Sequence, residues 1–168
     1  MRVLAIDPSL RNTGVAIVET NGNGKFCARY YGVIHNRAAV PMFSCLVAIR
    51  NQLAQLIQTH EPDCCALESV IYVQSYKTAI TLGAARGSAI MAAAERGLPV
   101  FEYAPKRIKQ ATVGNGAADK SQVAFMVRVL LGLVETPGAD AADALAIGLT
   151  HLRAGEAARL GLTTGTQI

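Results

Sequence analysis

The tetrapeptide Asn21-Gly22-Asn23-Gly24 constrains this chain more than any other segment. Asparagine and glycine accept the backbone angles of a tight hairpin, and both flanks are strand-like: Gly14–Glu19 before it, Lys25–Ile34 after it. A short apolar run, Val3–Asp7, precedes them across the turn residues Pro8 to Gly14. Together they predict three strands in an antiparallel meander.

Beyond the meander, strand and helix patterns alternate. Ser44 to His60 places Leu46, Ile49, Leu53, Leu56 and Ile57 at helical spacing, with Ser44 as the expected N-cap and Glu61-Pro62-Asp63 as the break. Cys64–Glu68 reads as a buried strand. A second helix is expected from about Ser75 to Arg96, stopped by Gly97. Pro99–Tyr103 is a fifth strand, and Ala111–Asp119 reads as a mobile loop. Helices are expected over Lys120–Leu133 and from Asp140 to about Ala154. The order βββαβαβαα implies an α/β fold: a mixed five-stranded sheet, three strands in a meander and two parallel, flanked by helices. At 168 residues one domain is expected. It would span residues 1–154, with a poorly patterned tail over 155–168.

Composition narrows the function classes. Charged residues make up 17% of the chain, below the roughly 25% of an average soluble domain, which favours a generous core over disorder. The most apolar stretch, Ala38–Ile49, carries Pro41 and Ser44 and is too short to span a bilayer. The run Val3–Ile6 stops at Asp7-Pro8, too soon for a signal peptide. A cytoplasmic protein without membrane association is expected. Cys27, Cys45, Cys64 and Cys65 form no C-x-x-C, the histidines are not at zinc spacing, and the cysteines read as small buried residues. The net charge of +4 permits a nucleic-acid partner without requiring one.

The acids are more informative. Asp7 ends one apolar strand and Glu68 another, while Asp140 and Asp143, three apart, share a face at the start of the last helix. If the strands are neighbours and that helix packs on them, four carboxylates converge. Two carboxylates about 4 Å apart repel by roughly 4 kcal/mol at an effective dielectric near 20. Either their pKa values rise or the cluster holds a divalent ion, and all-oxygen ligands suit Mg²⁺ or Mn²⁺. Singly, each acid has a plainer role: Asp7-Pro8 as a turn, Asp140 as an N-cap, Asp143 as a partner of the helix dipole. Only the combined pattern points to chemistry.

Several segments resemble the RuvC crossover-junction endodeoxyribonucleases. They are Ala5 to Gly14 (AIDPSLRNTG), Leu82 to Gly87 (LGAARG), Pro99 to Ala104, the basic stretch from Lys109-Gln110 to Lys120-Ser121-Gln122-Val123, and Ala139 to Ala146 (ADAADALA). The likeness runs over roughly Met1–Leu152. It implies an RNase H-like fold, a homodimer, and Mg²⁺-dependent cleavage of four-way (Holliday) junction DNA in recombination and repair, with Mn²⁺ substituting. The branch-migration proteins RuvA and RuvB are implied as partners. Asp7, Glu68, Asp140 and Asp143 match the family's catalytic, metal-binding acids, and Lys109 and Lys120 match basic residues of its DNA-binding and catalytic surface. Ser9 stands where the family usually has Gly. Ile71, followed by Tyr72, stands where it commonly has an aromatic wedge.

The implied mechanism is two-metal phosphodiester hydrolysis, leaving a 3′-hydroxyl and a 5′-phosphate. Asp7 is the expected bridge between the metals, with Lys120 steadying the scissile phosphate and Lys109 a neighbouring one. Ile71, Tyr72, Lys77 and Arg86 are expected along the DNA, with Tyr76 flanking it. Gly83 and Gly87 mark either close helix packing in the core or a dimer seam. His151 shares a helix face with Asp140 but lies about 16 Å along the axis, so it reads as a structural histidine. Two other readings are an actin-like or sugar-kinase-like ATPase fragment and a junction-binding module without cleavage.

Overall fold

The computed structural model describes residues 1–73, 75–159 and 166–168. The meander is β1 (Arg2–Asp7), β2 (Asn12–Thr20) and β3 (Phe26–His35), followed by α1 (Met42–His60) and β4 (Cys64–Glu68). Then come α2 (Tyr76–Ala94), β5 (Val100–Tyr103), α3 (Pro105–Val113), α4 (Lys120–Leu131), α5 (Ala139–Arg159) and β6 (Thr166–Gln167). The sheet order is β3-β2-β1-β4-β5-β6. β1 is antiparallel to β2 and parallel to β4, and β5 runs parallel to β4. This is the mixed sheet flanked by helices that the pattern implied.

Between Arg2 and Asp7, β1 is apolar at every position because both sheet faces are covered. Val3 and Ala5 point into one core with Ala16, Val18, Leu145, Leu149 and Val127, beneath α3, α4 and α5. Leu4 and Ile6 point into the other, with Ile49 and Leu53 of α1 and Ala85 and Ala89 of α2. Each fully buried Leu or Ile contributes about 1.5–3 kcal/mol of transfer free energy. Among the described residues no helix is long and apolar enough to cross a membrane.

Three expectations change, and one open choice narrows. The first helix starts at Met42 behind Pro41, with no side-chain cap, rather than at Ser44. Pro41 accepts from the Cys45 amide, and exposed Met42 and Phe43 blur the apolar spacing at its start. Residues 105–113 form the unforeseen α3, begun by Pro105 at its first turn; only Ile108 and Thr112 are buried on it, too few to stand out among Lys106, Arg107 and Lys109. The last helix continues to Arg159, and β6 adds an antiparallel sixth strand on β5. The rest of the tail lies outside the described residues. Finally, Gly83 and Gly87 each face open space, so they are not a core-packing pair.

Candidate active site

β1 and β4 are parallel neighbours with Ile6 abreast of Leu67, which brings Asp7 and Glu68 to the same end of the sheet. α5 crosses above them. Its first turn carries Asp140, and Asp143 follows one turn on. The close approach depends on Gly14, which pairs with Asp7 in the register. A Cβ on Gly14 would lie 2.0 Å from the Asp140 carbonyl oxygen. Gly148 does the same further along: its Cβ would meet Val18 Cγ2 at 2.7 Å. These glycines set how closely α5 rests on the sheet, and sequence reading passed over that role. The signal was present, since glycine inside a strand marks a close approach.

Electrostatics confirm that the four acids share a region. Burial, then Asp143 and Glu68, push the Asp7 carboxyl up to about 7; Asp140 adds to this and Lys120 opposes it. Glu68 is also raised, by burial first and then Asp143, against Lys120 and Lys109. Lys120 Nζ donates to Asp143 Oδ2 at 2.9 Å, and this bond and charge raise the lysine's own pKa.

The donor set fits a hard divalent cation. All four side chains offer oxygen, and their mutual repulsion is what such an ion relieves. Even so, no three His, Cys, Asp or Glu side chains among the described residues already close into a cage. Asp143 is turned to Lys120 instead.

The segment before Lys120 is not a free loop. Gln110 Oε1 accepts from the Gly116 amide at 3.1 Å, and its Nε2 donates to the Gly114 carbonyl at 2.8 Å. Gly114 closes α3 in the left-handed conformation. Asp119 caps α4, its side chain accepting from the Gln122 amide while the Gln122 side chain accepts from the Asp119 amide. The expected mobile loop is thus a hydrogen-bonded bend that carries Lys120 to the acids.

Three cavities follow on from one another here. One of about 130 Å³ is lined by Glu68, Lys109, Lys120 and Asp143. The next, about 300 Å³, shares Glu68 and Pro105 with it and adds Asp7, Ile71 and Tyr72. Leu82 joins that one to a third of about 460 Å³ beside Arg11 and Lys77. Ile71 is 70% and Tyr72 81% exposed, both at the rim. Ser9 needs no glycine-like backbone: among the described non-glycine residues only Glu61 has a positive φ. Thr13 Oγ1 closes the turn by donating to the Ser9 carbonyl at 2.5 Å.

Arg86 corrects an expectation. Its guanidinium donates to the Glu68 carbonyl at 3.0 Å and pairs with Glu102, and its side chain is only 14% exposed. It braces the end of β4 from within the chain. His151 behaves as expected. It shares hydrogen bonds with Tyr103 Oη (2.8 Å) and Cys64 Sγ (3.3 Å), and burial pushes its pKa down to about 4. Cys45, Cys64 and Cys65 are buried and Cys27 half-buried, all free.

Comparison with known proteins agrees with this geometry. The family model described as "Crossover junction endodeoxyribonuclease RuvC" matches residues 3–151. The protein of that name from Akkermansia muciniphila is 55% identical over 152 residues, covering 90% of each chain. That from Edwardsiella ictaluri is 45% identical over 150 residues, covering 89% of this chain and 85% of its own. The solved Thermus thermophilus RuvC in complex with Holliday junction substrate is 34% identical, with a TM-score of 0.90 over 100% of this chain and 99% of that one. The yeast mitochondrial Holliday junction resolvase, 17% identical over 90% of this chain and 78% of its own, shares the fold at a TM-score of 0.65. Clustered acids on a mixed sheet and a family match over nearly the whole chain lead to one conclusion: this chain belongs to the RuvC family of crossover junction endodeoxyribonucleases, the Holliday junction resolvases.

Proposed function

We propose that this chain resolves four-way junctions in the cytoplasm by Mg²⁺-dependent hydrolysis, two copies making paired symmetric nicks. The nuclease domain runs from residue 1 through α5, with β6 completing its sheet, and the family's branch-migration proteins RuvA and RuvB act alongside it. The carrying observation is the cluster of Asp7, Glu68, Asp140 and Asp143, in which burial, and after it the charge of the neighbouring acids, lifts Asp7 to about 7. These four residues would hold the metal. When bound, divalent ions supply an acidified water and the positive charge that the leaving oxygen needs.

The chain's own groups do the rest. Asp7 and Glu68, at the ends of rigid strands, fix where the scissile phosphate rests. Lys120 donates to a phosphate oxygen, and Lys109, half-buried beside Glu68, meets a neighbouring one. Lys77 extends the positive track, while Ile71 and Tyr72 at the rim stack on or part the bases at the junction centre. Manganese serves the same donors.

The second copy has a natural seat. Tyr76, Ile80, Gly83, Gly87 and Met91 fall on one outward face of α2, and Ile80 is 67% exposed. The open glycines let another backbone come close. An isologous pair suits the pseudo-two-fold symmetry of a junction, with one site for each of two matching strands.

The test is a four-way junction labelled on each strand in turn, incubated with and without Mg²⁺, with analytical ultracentrifugation of the protein alone. Metal-dependent nicks at symmetric positions and a dimeric mass support the proposal. Equal cutting of linear duplex, or cutting in chelator, sinks it.

A further inference from the structure

We propose that Lys120 is an exchangeable counterion: its ammonium fills the cation's place beside Asp143 in the metal-free chain and yields it when a divalent ion enters. The inference rests on the metal-binding reading above.

Lys120 is an odd residue for its position in the helix. It opens α4, where the backbone dipole disfavours a cation, and no acid stands in that first turn. Its partner lies elsewhere, 2.9 Å away on α5. Its charge is also felt beyond Asp143, since Asp7 and Glu68 are both lowered by it and Asp140 acts on it in return. One ammonium therefore answers to all four acids, the role a metal ion would take.

The lysine can leave without unpacking anything. Its side chain is 76% exposed, while the Asp119 capping box pins the backbone at its root. The ammonium swings on a flexible stem from a fixed point. A divalent ion held by Asp143 and an ammonium at hydrogen-bond distance from the same carboxylate would bring two cations together. One must move, and the released ammonium finds its next anion in the substrate phosphate. Metal and DNA then help each other bind, since each removes a competitor of the other.

The test is Mn²⁺ binding to the full chain without DNA, read by electron paramagnetic resonance, for wild type, Lys120→Met and Lys109→Met. Lys109 acts on Glu68 through space, so its loss controls for net charge. Lys120→Met should bind Mn²⁺ on the order of tenfold more tightly, and Lys109→Met clearly less so. In wild type, the ¹⁵N resonance of the Lys120 ammonium should lose its hydrogen-bonded signature as Mg²⁺ is added. Unchanged or weaker binding by Lys120→Met, or an equal gain in Lys109→Met, overturns the exchange while leaving the metal site standing. If none of the three folded proteins binds Mn²⁺, the metal reading fails and the exchange falls with it.

Discussion

The two ends of the β1–β2 pair treat buried carboxylates in opposite ways. At one end Glu19 lies between Arg2 (2.8 Å) and Arg29 (2.6 Å). Burial alone would lift its pKa, but hydrogen bonds and charge from the two arginines overcome this and hold it below the ordinary glutamate range. At the other end burial and three more acids, opposed by one lysine, raise Asp7 to about 7. The same strands can neutralise an acid fully, and at the candidate site they do not. The uncompensated charge there is a property of the site, not of a poorly balanced protein.

That contrast can be broken most severely at Asp7. Asp7→Asn should cut the cleavage rate on the order of a thousandfold while keeping junction binding. It should also raise the metal-free melting temperature, because it removes a repulsive buried charge. Normal cleavage by this variant, measured on a labelled junction, would refute the site assignment. Next comes Gly14→Ala, whose new Cβ would strike the Asp140 carbonyl. Displacing Asp140 and Asp143 should cost about 100-fold in rate, and overpacking about 1–3 kcal/mol in denaturant unfolding. At the other end, Glu19→Gln should leave cleavage intact and lose about 1–2 kcal/mol, with solvent screening of the half-exposed arginines keeping the loss modest. A fall in cleavage there would mean that the two ends are coupled.

The smallest effect is in pH. Asp7 binds its proton more tightly folded than unfolded, so the metal-free protein should lose stability as pH rises from about 4 through about 7. Glu19 has the opposite sign: its contribution is present above the unfolded pKa and lost as pH falls through its lowered folded value. Melting curves in chelator should show both limbs. Asp7→Asn should flatten the upper one and Glu19→Gln the acid one.

Much of this was readable before the fold was seen. The Asn-Gly hairpin, the doubly buried strands and the strand-ending acids carry their meaning in local pattern and spacing. So did the quiet role of His151. What local pattern could not show was approach between distant elements. Gly14 in a strand signals a close approach, but not that α5 is the element that makes it. Arg86 reads as a basic residue offered to DNA until Glu102 and the Glu68 carbonyl, on two different strands, claim it. α3 was missed for a related reason: its buried face is two residues wide, and charged neighbours outnumber them.

The order in which the acids enter the chain has a consequence for the cell. Asp7 is made early, but Asp140 and Asp143 come on the last helix, and they reach Asp7 only when that helix settles against Gly14. A polypeptide still emerging from the ribosome lacks half of these carboxylates. With the four acids acting together as proposed, DNA cutting waits for synthesis and docking of the final helix.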